Sequence, residues 1–358
     1  MPLFPFSLSA RRADRRFEPL GFLRQFERQV PRLAFSAKNR QEWERWRRGF
    51  RAALAAAIGL DRIGRRELRI KQGPVERCDG YDRKSLAIET ARGLWVPAFM
   101  LVPHGGTKRF TEPRPAVICC HGHGTGMNGL VGLTEDGRPR RVGGGYQHDF
   151  AIQAVRTGFV ALAYDQCGFG RRRDFAFNRA QRMTNACEQP SRNALHWGLT
   201  MTGIRVWDAL RMVDLLEACP EVARGKIGMV GISGGGLVTQ FAAALDDRVR
   251  TAGVSGYCNR FADCILSIRH CIDNYVPGLG LLADSGDIAA LIAPRPLLIQ
   301  AGTRDPLFPI AATRAAVGKL KQCYALFGAS RSLETDIFAG GHQFRGRPFW
   351  AFFHSRLG

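Results

Sequence analysis

Residues 226–245, KIGMVGISGGGLVTQFAAAL, decide how the rest of the chain is read. The first part, KIGMV, is a short apolar run of the length of a buried strand, and the part after Ser233 reads as a helix. Between them, Gly231-Ile232-Ser233-Gly234-Gly235 matches G-x-S-x-G. A sharp strand-to-helix turn strains its central residue, so the neighbours must lack bulky side chains, a need that Gly231 and Gly235 meet. Such a turn lifts the Ser233 hydroxyl above a sheet. It also sets it at a helix N-terminus, where free N–H groups favour developing negative charge. The competing reading is a glycine-rich turn that holds a phosphate, but GISGGG does not supply the G-x-G-x-x-G of a dinucleotide site. Ser233 is therefore the candidate nucleophile.

Working outward, short apolar runs alternate with helical patterns. PAVICCHGHG (115–124), FVALAYD (159–165), VRTAGVSG (249–256), PRPLLIQAG (294–302) and SLETDIFAG (332–340) read as strands. FAIQAVRTG (150–158), the long run ALHWGLTMTGIRVWDALRMVDLLEAC (194–219) and PFWAFFHSRL (348–357) read as helices. Upstream, RKSLAIET and WVPAFMLVP look like a pair near a sheet edge, linked through Gly93. This alternation predicts an α/β fold, a mostly parallel central sheet flanked by helices, with ligands bound beyond the carboxyl ends of the strands. Residues 17–59 read as helical; Trp43, Trp46, Phe50, Ala53 and Leu54 share one face and Gly59 ends the helix. The expected organisation is an N-terminal helical extension, 1–67, and a catalytic domain, 68–358.

A serine hydroxyl needs a base within reach and a carboxylate to set that base's tautomer. In α/β proteins of this kind the chain order is Ser, then Asp or Glu, then His. Three histidines follow Ser233: His270, His342 and His354. His342 lies just after a strand in FAGGHQF, where Gly340 and Gly341 let the loop turn back over the sheet. His270 and His354 fall in helical stretches. Asp305, in LLIQAGTRDPLFP, also follows a strand, 72 residues after Ser233 and 37 before His342. Its rivals are an Asp-Pro turn without further role and Asp263, which sits within a helical pattern.

The loop His121-Gly122-His123-Gly124 follows the strand PAVICC. In a serine hydrolase this loop donates one N–H to the oxyanion and the residue after the nucleophile donates the other, which assigns His123 and Gly234. The alternative, a metal on His121 and His123, lacks further ligands of recognisable spacing, His148 being the sole nearby candidate. No metal or other cofactor is expected. His270, Tyr275, Phe308 and Phe344 lie after strand ends and are candidate pocket residues, with core packing as the competing role for each. Asp165 is expected to bond nearby backbone or an arginine such as Arg171.

Together, VICCHGHG, YDQCGFGRR, GMVGISGGG, RHCIDNYVPGLG, IAALIAPRPLLIQAGTRDPLFP and GGHQF resemble the dienelactone-hydrolase-like and acetyl-xylan-esterase-like branch of the α/β hydrolases. The resemblance covers about residue 68 to 358, and the helical segment before it is similar to the leader of such proteins. It implies a serine esterase acting without a cofactor on a small-molecule ester. Dienelactone hydrolases proper use a cysteine nucleophile, whereas this chain has Ser233, which favours ordinary esters over lactones. Two rival functions stand beside this one. An aminopeptidase of the prolyl-oligopeptidase-related group would need a larger gating domain than the first 67 residues supply. A catalytically silent polyanion-binding scaffold would not need Ser, Asp and His together.

Charge and composition set the outer bounds. The formal net charge is +21, and residues 1–60 hold 13 Lys/Arg against 5 Asp/Glu, so the excess is not confined to one tail. No nucleic-acid motif accompanies it, and an arginine-rich surface without a specific nucleic-acid partner is expected. No apolar stretch is long enough to span a membrane. The first residues place a short apolar run ahead of the arginines, the reverse of a secretory signal, so a cytoplasmic protein is expected. Ten cysteines without C-x-x-C pairing fit buried free thiols. The N-terminal helices could form a lid or a contact in a homo-oligomer.

Overall fold

The structure, a computed structural model, describes residues 18–104, 112–141, 143–174 and 186–358. The stretch before Glu18, on which the reading against a secretory signal rests, lies outside the described residues. Among the described residues, nine strands form one sheet in the order β1-β2-β3-β5-β4-β6-β7-β8-β9. They are β1 Arg69–Cys78, β2 Tyr81–Ala91, β3 Leu94–Pro103, β4 Arg114–Cys120, β5 Val160–Tyr164, β6 Val222–Ile232, β7 Val249–Ser255, β8 Leu297–Gly302 and β9 Leu333–Phe338. The first three are antiparallel and β3 meets β5 antiparallel; β5, β4 and β6 to β9 are parallel.

The central parallel strands β4 to β8 carry buried, mainly apolar runs because helices cover both of their faces, whereas the edge strand β9 is polar and half-exposed. Ala116, Ile118 and Cys120 of β4 enter one core cluster, while Val117 and Cys119 enter the other. This is the period-two alternation of a pleated strand. The first cluster is completed by helices Met201–Glu217 and Gly234–Leu245, and the second by helices Phe150–Arg156 and Gly346–Leu357. The N-terminal helix Arg40–Ile58 joins the first cluster directly, with Trp43, Phe50, Leu54 and Ile58 buried. Its start is set by Asn39, whose side chain accepts the Glu42 N–H, and its end by Gly59 at φ 80°. Upstream of it, the stretch read as helical holds only two short pieces, a helix Pro19–Leu23 and a 3-10 turn Phe26–Arg28.

Two further expectations are corrected, and one strand is added. The run 194–219 is not one helix: Glu188–His196 and Met201–Glu217 are separated by Gly198 at φ 70° and by Thr200, which caps the second helix by accepting the Gly203 N–H. Gly203 cannot be larger, because a Cβ there would lie 1.8 Å from the Ile58 carbonyl oxygen. The edge strand β1 was not separated from its neighbours in sequence. Nearly all its residues are exposed, so it carries no apolar alternation to detect. The segment around His270 is a set of turns and short 3-10 helices (Phe261–Asp263 and Ile272–Asn274), not a helix.

No helix among the described residues is long and apolar enough to cross a membrane. The ten cysteines are all unpaired in the structure.

Candidate active site

Ser233 joins β6 to the helix Gly234–Leu245 with φ 58° and ψ −124°, one of three non-glycine residues at positive φ among those described. A β-carbon normally makes this conformation costly, so the turn persists only because its surroundings over-determine it. They do so through close backbone approaches. A Cβ at Gly235 would lie 1.8 Å from the Cys120 carbonyl oxygen, and one at Gly231 would lie 2.3 Å from the Gly235 carbonyl oxygen. The Ser233 N–H donates to the Ser255 carbonyl at 3.0 Å, anchoring the turn to the end of β7.

Asp305 lies in the loop after β8 and His342 in the loop after β9. The His342 Nδ1 is 2.7 Å from Asp305 Oδ2. A carboxylate can only accept, so Nδ1 carries the proton and Nε2 presents its lone pair. The other carboxylate oxygen, Oδ1, accepts from the Leu307 N–H at 2.9 Å and the Phe308 N–H at 3.1 Å, so the acid cannot rotate freely. His342 sits over the end of β7: a Cβ on Gly256 would meet its Cε1 at 2.9 Å. Its Nε2 is buried and has no hydrogen-bond partner, so the link to the Ser233 hydroxyl is not closed as a hydrogen bond in this structure. Catalytic hydrogen bonds are often long before substrate binds.

Two aromatic rings flank that imidazole. Tyr146 stacks at 5.5 Å with 26° between planes, and Phe308 at 5.6 Å with 19°. Sequence reasoning included Phe308 and missed Tyr146, which lies in the polar run GGGYQHD without periodicity. The Tyr146 hydroxyl donates to the His123 carbonyl at 2.8 Å, tying the ring that stacks on His342 to the loop after β4. Gln147 supports the same loop by accepting the Gly122 N–H at 2.7 Å. Among the described residues, the N–H groups of His123 and Gly234 donate to no other group of the protein.

The two histidines of the loop have different roles. His121 is fully buried; its Nδ1 is 2.7 Å from the Gly122 carbonyl and its Nε2 accepts the Gln166 N–H at 3.0 Å. Burial pulls its pKa down to about 3. It is a neutral, fully bonded strut and has no lone pair left for a metal. The His123 ring lies against Gly234, and its Nε2 is 3.3 Å from Asp273 Oδ2. Burial pulls the His123 imidazole down, but Asp273 and Cys187 more than offset this and push it up to about 9. Around it stand Cys187, Cys271 and Asp273, residues that the spacing argument did not find. His148, the ligand considered from sequence, is exposed at φ 51° and is not part of this group.

The His270 ring lies 5.6 Å from Phe308, the same ring that stacks on His342. Phe344 is corrected: it is buried between Phe150 and Phe349 in the second core cluster, which is a packing position. Tyr275 donates its hydroxyl to the Ile265 carbonyl and stands partly exposed. Asp263 pairs with Arg260. His354 packs against Phe159. Asp165 accepts the N–H groups of Met127 and Arg171, and is a structural residue of the kind its position suggested.

A family model described as the Abhydrolase family matches residues 6–251. The “Putative hydrolase YtaP” of Bacillus subtilis (strain 168) is 29% identical over 255 residues, covering 69% of this chain and 78% of the relative. Among solved structures, a “putative acetyl xylan esterase” from Bacteroides fragilis NCTC 9343 superposes with a TM-score of 0.77 at 17% identity, covering 96% of this chain and 90% of the other. A glucuronoyl esterase from Solibacter usitatus gives 0.67 at 17% identity, covering 92% and 97%. A sheet that is parallel from β5 to β9, a strained serine at the end of β6 and a family match over more than half its length agree: this chain belongs to the Abhydrolase family and has the α/β-hydrolase fold.

Proposed function

We propose that the protein is a serine esterase that cleaves a carboxylic ester of a short acyl group, such as acetyl, through an acyl-enzyme. The observation that carries this reading is the 2.7 Å contact between His342 Nδ1 and Asp305 Oδ2, in loops beyond the same sheet end as Ser233. The esterase names of two structural neighbours support the choice of an ester.

His342 Nε2 accepts the Ser233 proton as Oγ bonds to the ester carbonyl carbon. The carbonyl oxygen becomes an oxyanion, held by the N–H groups of His123 and Gly234, each contributing about 3 kcal/mol of transition-state stabilisation. The carbon–alkoxide bond then breaks, and the Nε2 proton leaves with the alcohol. Water attacks the acyl-serine, giving its proton to Nε2; the tetrahedral species collapses to free acid, and the proton returns to Oγ. The charge on Asp305 stabilises the imidazolium in both steps without itself taking the proton.

The test is hydrolysis of p-nitrophenyl acetate alongside fluorophosphonate labelling. Ser233→Ala should lose roughly a million-fold in turnover and all labelling, with an unchanged circular-dichroism spectrum. Near-normal hydrolysis by that variant, or a wild-type protein inert to both reagents, overturns the reading. A panel running from acetyl to octanoyl esters, with acetylated xylan and methyl glucuronate, then sorts the substrate class.

A further inference from the structure

The side chains that meet behind the His123 loop are a donor set in search of a cation. His123, Cys187, Cys271 and Asp273 each offer one ligand atom, and these atoms all lie within 4.8 Å of one another. His123 Nε2 is buried and makes no directed hydrogen bond, although Asp273 Oδ2 is 3.3 Å away. An imidazole nitrogen that faces two sulfurs and a carboxylate has the surroundings of a metal ligand.

We propose that His123, Cys187, Cys271 and Asp273 form a zinc site that clamps the loop after β4 to two neighbouring segments. Two thiolates, one imidazole and one carboxylate suit zinc better than calcium or magnesium, which favour oxygen ligands. Tetrahedral zinc, with bonds of about 2.0–2.3 Å, holds its ligand atoms about 3.3–3.8 Å apart. Each pair therefore has to close by about 1.5 Å at most.

The outer layer fits as well. Arg205, fully buried, is ion-paired with Asp273 Oδ2 and donates to Cys187 Sγ at 3.2 Å. Asn274 Nδ2 donates to Asp273 Oδ1 at 2.7 Å. Such outer partners orient ligands and balance charge. Two thiolates and a carboxylate carry −3, which zinc and Arg205 together neutralise. The ligands come from three segments: the loop after β4, the entry to helix Glu188–His196, and the 3-10 turn Ile272–Asn274 with the residue before it. A zinc ion there would hold the His123 main chain, and hence the oxyanion donor assigned above, in place; that consequence alone rests on the proposed function.

The experiment reads metal, not turnover. Full-length protein purified under a non-chelating reductant is stripped with dipicolinate, dialysed, and titrated with zinc chloride. Metal content is measured by mass spectrometry and the unfolding midpoint by calorimetry. Cobalt is titrated separately for the visible absorption of a tetrahedral thiolate complex. One equivalent bound per chain, a rise in midpoint of about 5 °C or more and the thiolate–cobalt bands are expected. The double variant Cys187→Ser, Cys271→Ser should lose all three, while Cys258→Ser, a buried cysteine outside the group, keeps them. The proposal is overturned if wild type takes up no stoichiometric metal, or if the double variant loads as wild type does. It is also overturned if Cys187 and Cys271 are found joined as a disulfide and, once reduced, still bind no zinc. None of these outcomes depends on the catalytic serine.

Discussion

Asp305→Asn is the substitution that most sharply separates a working triad from residues that merely lie close together. The new side chain has the shape of the old one, and the structure dictates how it must sit. Oδ1 of Asp305 accepts two backbone N–H groups, from Leu307 and Phe308, so the amide oxygen of an asparagine is held there. Its NH2 group then faces His342 Nδ1, at the position where Asp305 Oδ2 now lies at 2.7 Å. A donor facing Nδ1 forces that nitrogen to accept, which moves the ring proton to Nε2. The atom that should take the serine proton is then already protonated. The expected loss in kcat is about ten-thousand-fold, or about 5.5 kcal/mol of transition-state stabilisation. Stability should fall far less, by about 1–3 kcal/mol, since one charge-assisted hydrogen bond is replaced and both backbone donors stay satisfied. The assay is p-nitrophenyl acetate hydrolysis, with thermal unfolding run on the same samples. Retention of more than a tenth of wild-type kcat by a folded Asp305→Asn protein would refute the tautomer argument. So would an activity loss no larger than the fraction unfolded.

The turn offers a second test: Gly235→Ala forces a Cβ to within 1.8 Å of the Cys120 carbonyl oxygen, backbone against backbone, and should cost about 3 kcal/mol or more in urea unfolding. Ser233→Gly should be more stable than Ser233→Ala by about 1 kcal/mol, since glycine alone sits at φ 58° without strain; equal midpoints in calorimetry would count against a strained turn. Acid should also weaken the fold through His121. Its folded pKa, about 3, lies below the unfolded value of roughly 6.5, so the unfolded chain binds the proton first. That contribution is intact above about pH 6.5 and is lost as the pH falls toward 3, amounting to about 2 kcal/mol by pH 5. His121→Gln should flatten the dependence of urea unfolding between pH 7.5 and 5, and an unchanged slope would remove His121 as its cause.

The Ser233 turn was legible because a residue at positive φ between a strand and a helix calls for small neighbours, although the Cys120 carbonyl that leaves Gly235 no room for a side chain is supplied by another strand. The assignments of Asp305 and His342 came from a coarser kind of information, the order of strands and which residue follows each. What failed was equally physical. Strand β1 has no buried face and so no pattern. The break at Gly198 and Thr200 depends on Gly203 meeting the distant Ile58 carbonyl. Phe344, placed just past a strand, turns inward to the aromatic core. Tyr146 and Gln147 sit in a polar loop whose partners, His342, His123 and Gly122, are brought to it by the sheet.

From the residues alone followed the alternation of strands and helices, a serine at a strand-to-helix turn, and a candidate acid and base at later strand ends, because periodicity and covalent order are properties of one chain read in sequence. The tertiary fold decided which imidazole nitrogen meets Asp305, which rings hold that imidazole, and that His123 faces two cysteines and an aspartate far from it in the sequence. Those are distances between loops, and they exist only once the packed sheet has set its strands side by side.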